Sequence, residues 1–186
     1  MHNALFDNIT ALLDSERERP VFLVIDGPAG AGKTTLAREI VTSMGQGEVI
    51  HCDDLYNGWH DALTPTLEKH FREWIIEPLN KSRMPRYRKY NWRSDGYESE
   101  IEVPSTRLLI LEGVGAALKS VTDFADLSIW MEISPSLGLA RVLKRDGPQI
   151  EEEMVTWIAK QAEFFAEHHN RENCSIHLPY GAPAER

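Results

Sequence analysis

Eight consecutive residues, Gly27-Pro28-Ala29-Gly30-Ala31-Gly32-Lys33-Thr34, carry the spacing G-x-x-x-x-G-K-[ST], and Thr35 follows at once. Glycines at these positions let the backbone turn its N–H groups inward around phosphate oxygens. The lysine then places a point charge on the β and γ phosphates, and the Thr34 hydroxyl can ligate Mg²⁺. The motif has meaning only between a strand and a helix. "PVFLVID" at 20–26 is a continuous apolar run that suits a strand buried on both faces. "KTTLAREIVTSM" at 33–44 has helical spacing in Leu36, Ile40 and Met44 or Val41. The context is therefore right for a nucleoside-triphosphate loop. The motif alone leaves a kinase, a GTPase or a motor open, and the absence of an NKxD-type guanine motif counts against the second.

Transfer of a phosphoryl group needs an acceptor in line, a metal, positive charge and a group that takes the acceptor's proton. The stretch "VIHCDDLYNGW" at 49–59 offers such a group. Asp53 falls at the C-terminal end of a second short strand, "EVIHC", where open α/β sheets bind ligands. Asp54 is expected to be structural, capping the segment that follows. Tyr56 and Trp59 are candidates for the acceptor wall. A second stretch, "KSRMPRYRKYNWR" at 81–93, holds six basic residues and no acid, with Tyr87, Tyr90 and Trp92 interleaved. It reads as an acceptor pocket, a solvated β-ribbon or a nucleic-acid groove.

These residues need a scaffold. Apolar runs at 107–113, 126–133 and 174–178 add three strands to those at 20–26 and 48–52. Helical periodicity covers 3–15, with Leu5, Ile9, Leu12 and Leu13 inward, and 64–80, with Leu67, Phe71, Trp74 and Ile75 inward. It also covers 134–147 and 151–170, the latter with Met154, Ile158, Ala162 and Phe165 inward. Residues 81–106 lack clear periodicity. Strands alternating with helices predict an α/β fold with a mostly parallel five-stranded sheet, in one domain spanning 1–186.

A net charge of −9 argues against a nucleic-acid partner. Two distant cysteines, Cys52 and Cys174, suit a reducing cytoplasm rather than a disulfide framework. Neither a signal peptide nor a membrane-spanning run is expected.

Taken in order, "GPAGAGKTTLA", "CDDLY", "LLILEGVGA", "LARVLKRD", a long helix and "SIHLPYG" resemble the uridine kinase family, within the group that holds phosphoribulokinase and bacterial pantothenate kinase. The resemblance implies a P-loop NTPase three-layer αβα sandwich that uses ATP and Mg²⁺. It implies that Asp53 is the catalytic base and helps order the metal, that Glu112 is a further metal-site carboxylate, and that Arg141 and Arg145 are lid arginines near the phosphates, alongside Lys33. The lid, 141–153, is short. The segment 81–106 would be the acceptor-binding part, which favours the pocket reading of its aromatics. The family's Tyr-Asp pair there is Tyr90-Asn91 in this chain, and Asp61 is a candidate for the missing acceptor-binding carboxylate. The partner implied is a small hydroxyl-bearing molecule, a nucleoside such as uridine or cytidine; a nucleoside monophosphate, a pantothenate-like compound or a sugar is the alternative acceptor, a nucleotide-binding regulatory protein with little transfer is the alternative class, and a homo-oligomer is allowed.

Overall fold

Residues 2–179 are described by a computed structural model. The last two residues of the "SIHLPYG" stretch lie outside them. The elements run α1 (His2–Asp14), β1 (Val21–Asp26), α2 (Lys33–Met44), β2 (Glu48–His51), α3 (Cys52–Leu55), α4 (Gly58–Asp61), α5 (Pro65–His70), a π-helical stretch (Phe71–Ile76) and α6 (Glu77–Asn80). A ribbon of β3 (Arg86–Asn91) and β4 (Gly96–Glu102) follows, then β5 (Leu108–Glu112), α7 (Lys119–Thr122), β6 (Leu127–Met131) and α8 (Pro135–Asp146). A 3₁₀ turn (Pro148–Ile150), α9 (Glu151–His168), α10 (Asn170–Asn173) and β7 (Ile176–Leu178) complete it.

Five strands form one sheet in the order β2-β5-β1-β6-β7, and every pairing within it is parallel. Such a sheet must be covered on both faces. β1 and β5 are buried along their whole length. Their residues alternate between two cores. Phe22, Val24, Leu109 and Leu111 meet Leu67, Phe71, Ile75 and Trp157 on one side. Leu23, Ile25, Leu108 and Ile110 meet Leu5, Ile9, Leu36 and Ile40 on the other. This is the three-layer αβα arrangement expected from the sequence.

Register decides where the chemistry sits. Ile25 and His51 both pair with Glu112, so β1, β2 and β5 end level with one another. The glycine-rich loop, Asp53 and Glu112 therefore leave the sheet at one edge.

Three expectations need correction. The segment 81–106 is not irregular: β3 and β4 pair antiparallel, with a register break between Arg88 and Tyr90 that spoils the two-residue alternation. In α9 the buried stripe is Met154, Trp157, Gln161 and Phe164 rather than Met154, Ile158, Ala162 and Phe165. A buried glutamine broke the apolar pattern; its Oε1 accepts from the Ala29 N–H at 3.0 Å. Asp54 does not cap α3; it pairs with Lys89 of the ribbon at 3.1 Å.

β1 ends on Asp26, which has no exposed surface. One carboxylate oxygen accepts from the N–H groups of Gly27 (2.6 Å) and Gly115 (3.0 Å). The other accepts from Ala117 N–H (2.8 Å) and Asn170 Nδ2 (2.9 Å). Burial raises the Asp26 carboxyl above its ordinary value, against the opposing pull of the Ala117 N–H and the Lys33 charge. Asp26→Asn replaces one acceptor oxygen with an N–H₂ that faces two donors. We expect it to cost about 2–4 kcal/mol, read as a lower urea midpoint with the denaturant slope unchanged. An unshifted midpoint would show that this carboxylate does not hold the loops.

Candidate active site

The glycine-rich loop after β1 wraps the N-terminus of α2. Gly30 and Gly32 take positive φ (82° and 97°), as the inward turn of the loop requires. A Cβ on Gly30 would lie 2.5 Å from the Gly138 carbonyl oxygen, and one on Gly138 would lie 2.5 Å from that of Ala29. Loop and α8 thus touch backbone to backbone. Ser134 caps α8 by accepting from Leu137 N–H. Arg141 follows Gly138 by three residues, and Arg145 follows Arg141 by four, so one face of α8 carries both to the loop.

The result is a cavity of ≈ 420 Å³. Its floor is Ala29, Gly30, Gly32, Lys33, Thr34 and Thr35. Asp53, Glu112 and Gly113 enter from the strand ends, and Arg141 and Arg145 from α8. Tyr56, Trp59, Trp92 and Trp157 make the far wall. Gly27, Pro28 and Ala31 do not line the space. The Gly27 and Pro28 carbonyls instead accept from Lys33 Nζ at 2.7 and 3.0 Å, and Ala31 N–H donates to the Pro28 carbonyl at 3.1 Å.

The carboxylates are not equivalent. Glu112 accepts from the Thr34 hydroxyl at 2.8 Å and pairs with His51 Nδ1 at 2.5 Å. Burial alone would raise its carboxyl, but the hydrogen bonds from His51 and Thr34 and the Lys33 charge hold it below the usual range. The same bond raises His51. Asp53 opens to solvent through the cavity mouth, yet protein surrounds it closely. Burial, reinforced by the Glu112 charge, raises its pKa. Lys33, only 8% exposed, is lowered by burial. Arg145 forms a two-pronged pair with Asp146, both contacts 2.7 Å.

Tyr87 and Tyr90, expected in the acceptor wall, stand behind it: Tyr87 is in the core and Tyr90 packs on Trp92 at 5.1 Å. Asp61 is tied to Asn57 and Thr64 at 3.0 and 2.6 Å, away from the cavity. The basic residues of 81–93 do not line it either. Sequence reasoning missed Asp26, His51, Gly138, Gln161 and Trp157. A glycine inside the helical pattern of α8 was the one available signal.

An oxygen-only donor set suits a hard divalent cation that keeps waters and phosphates as its other ligands. Thr34 Oγ1 and a Glu112 oxygen already lie 2.8 Å apart, and Asp53 faces the same space.

Comparison with known proteins agrees with this fold. The sequence model of the Phosphoribulokinase / Uridine kinase family matches residues 66–166. Uridine kinases of Ureaplasma urealyticum and Ureaplasma parvum are each 27% identical over 143 residues, 68% of this chain and 69% of theirs. Among solved structures, a candidate fructose transport system kinase from Silicibacter sp. TM1040 superimposes with a TM-score of 0.70 at 18% identity, covering 96% of this chain and 99% of that one. A candidate uridine kinase from Bacillus stearothermophilus gives 0.64 at 15%, covering 94% and 99%. D-glycerate 3-kinase of Cryptococcus neoformans gives 0.60 at 11%, covering 88% and 86%. These structures share the fold. The matched stretch excludes the glycine-rich loop and Asp53, so the placement of those residues rests on the geometry above. With more than half of its length matched, the chain belongs to the phosphoribulokinase / uridine kinase family of ATP-dependent phosphotransferases.

Proposed function

We propose that the protein moves the γ-phosphoryl group of ATP to a hydroxyl of a small molecule, with a nucleoside such as uridine or cytidine as acceptor. The observation that carries this reading is the convergence of the loop, Lys33, the Thr34–Glu112 pair and Asp53 on one cavity. The 27% identity to uridine kinases supports the nucleoside. A second reading changes only the acceptor, to a sugar or sugar acid. It is favoured by the folds shared with a fructose transport kinase and a glycerate kinase. We place the protein in the cytoplasm, in keeping with its two buried free cysteines. We read 1–186 as one catalytic domain with 141–153 as its lid.

In this reading the loop amides and Lys33 hold the β and γ phosphates. Lys33 then exchanges the Gly27 and Pro28 carbonyls for phosphate oxygens. Thr34, Glu112 and Asp53 would hold Mg²⁺, which supplies charge neutralisation between the phosphates. Asp53 takes the proton of the acceptor hydroxyl as its oxygen bonds to phosphorus. The bond from phosphorus to the β-phosphate oxygen breaks, and ADP leaves. The raised pKa of Asp53, set by burial and the Glu112 charge, makes it a better base than an ordinary carboxylate. Arg141 and Arg145 neutralise charge on the moving group, Arg145 after leaving Asp146.

A coupled ATP-consumption assay over nucleosides, nucleotides and small alcohols tests the function. Intact ATP binding with no acceptor-stimulated turnover would contradict it. Asp53→Asn should lower kcat by roughly 10²- to 10⁴-fold, with ATP affinity changed far less in a binding titration; turnover close to wild type would remove Asp53 as the base. In protein free of nucleotide and metal, the Asp53 carboxyl should titrate above 3.8 when followed by carbon NMR. The ionised, proton-accepting form is then lost as pH falls through that raised value. Titration at or below 3.8 refutes the electrostatic account.

A further inference from the structure

Glu112 ends β5 with a side chain only 5% exposed, and the side chain of His51 beside it is 39% exposed. Strand register explains their meeting. His51 ends β2 and pairs directly with Glu112 in the parallel ladder. Partners in register raise their side chains from the same face of a sheet. The chain just beyond is equally constrained. A Cβ on Gly113 would lie 2.4 Å from the Cys52 Cβ, so β2 and β5 leave the sheet in close contact. The backbone thus sets His51 against Glu112 before any ligand arrives.

Both donors to Glu112 fall on one oxygen. The Thr34 hydroxyl donates to Oε1 at 2.8 Å, and His51 Nδ1 lies 2.5 Å from the same atom. An ionised carboxylate only accepts, so the hydrogen of the second contact sits on Nδ1. Among the described residues no hydrogen bond reaches Oε2. Glu112 lines the cavity with Thr34 and Asp53, whereas His51 does not line it. One oxygen is therefore taken up inside the protein, and the other is left for what enters the cavity.

The two donors differ in what a ligand does to them. Thr34 belongs to the phosphate loop, where a nucleotide and its cation compete for its hydroxyl. The His51 bond faces no such competitor. A rival for the carboxylate is nevertheless close: the Lys33 charge already acts on Glu112. A Glu112 side chain released by His51 would be drawn to that ammonium.

We propose that His51 is a positioning residue for the metal-site carboxylate: its Nδ1–H holds Oε1 of Glu112, so that Oε2 is kept for a divalent cation and its waters rather than for Lys33. The inference rests on the kinase reading for the cation, and it adds to that reading a residue that touches no reacting atom. Groups that orient a metal-binding carboxylate are worth roughly 10- to 100-fold in metal affinity.

The test sets His51→Asn against His51→Gln. The Asn side-chain N–H₂ falls at the place of Nδ1, and that of Gln lies one bond further out. Each protein is titrated by calorimetry with a non-hydrolysable ATP analogue, once in EDTA and once in Mg²⁺. The ratio of the two affinities measures what the cation adds. His51→Gln should lose roughly 10- to 100-fold of that ratio, with its affinity in EDTA within about twofold of wild type. His51→Asn should keep the ratio within about threefold of wild type. A histidine that only supports the fold would lower both affinities together, or lower the melting temperature alone, and either result overturns the proposal. So do equal ratios in the two variants, or a wild-type protein in which Mg²⁺ adds nothing to binding of the analogue. Turnover separates this inference from the kinase reading. A ratio lost in His51→Gln, in a protein without acceptor-stimulated turnover, would remove the kinase reading and leave the role of His51 standing. Acceptor-stimulated turnover with the same Mg²⁺ dependence in wild type and both variants would do the reverse.

Discussion

The buried carboxylate of Asp26 is the constraint on which the rest of the site depends. A charge without access to water is costly unless its lone pairs are filled. Here four donors fill them, and each donor belongs to a segment that the site needs. Gly27 begins the phosphate loop, Gly115 and Ala117 belong to the turn after Glu112, and Asn170 starts the short helix before β7. The cost of burying the charge is therefore offset only when all of these segments are in place together. Strand register then does the rest. Because Ile25 and His51 share Glu112 as their partner, fixing the loop after β1 also fixes the exits of β2 and β5.

Much of this was legible in the sequence because it depends on local pattern. The apolar runs of β1 and β5, the helical spacing from Lys33 to Met44 and the loop motif follow from residue type over a few positions. The meeting of Asp53, Glu112, Arg141 and Arg145 at one cavity was reached by resemblance, and the geometry places all four there. What escaped was non-local. Gln161 is polar and faces inward, so no hydrophobic count finds it; its partner is a backbone N–H 132 residues away. Trp157 lay one helical position off the expected stripe for the same reason. Asp26 reads as the end of a strand until its donors are seen.

The ribbon of β3 and β4 shows how composition can mislead about purpose. Six basic residues in thirteen suggested contact with an anion. In the fold three of the six serve the ribbon's own setting: Arg86 pairs with Glu102, Arg88 donates to the Glu98 carbonyl and Lys89 pairs with Asp54. Lys89 and Trp92 clasp α3, and Tyr97 donates to the Leu55 and Tyr56 carbonyls from the next strand. The ribbon is a brace that holds Asp53 and Tyr56 against the sheet edge, and it delivers one ring, Trp92, to the cavity.

The cationic groups of the site share one further property. Lys33 donates into carbonyls of its own loop, and Arg145 is held by the carboxylate next to it in sequence. Each positive group so described has an internal acceptor that a phosphate oxygen can replace one for one. In the proposed reading, binding a nucleotide is an exchange of partners rather than the filling of a bare positive hole. Such an exchange lets a chain of net charge −9 keep an anion site without a basic surface. It also confines the strong charge interactions to the moment when phosphate, base and acceptor are present together, which is where stabilisation raises rate rather than affinity.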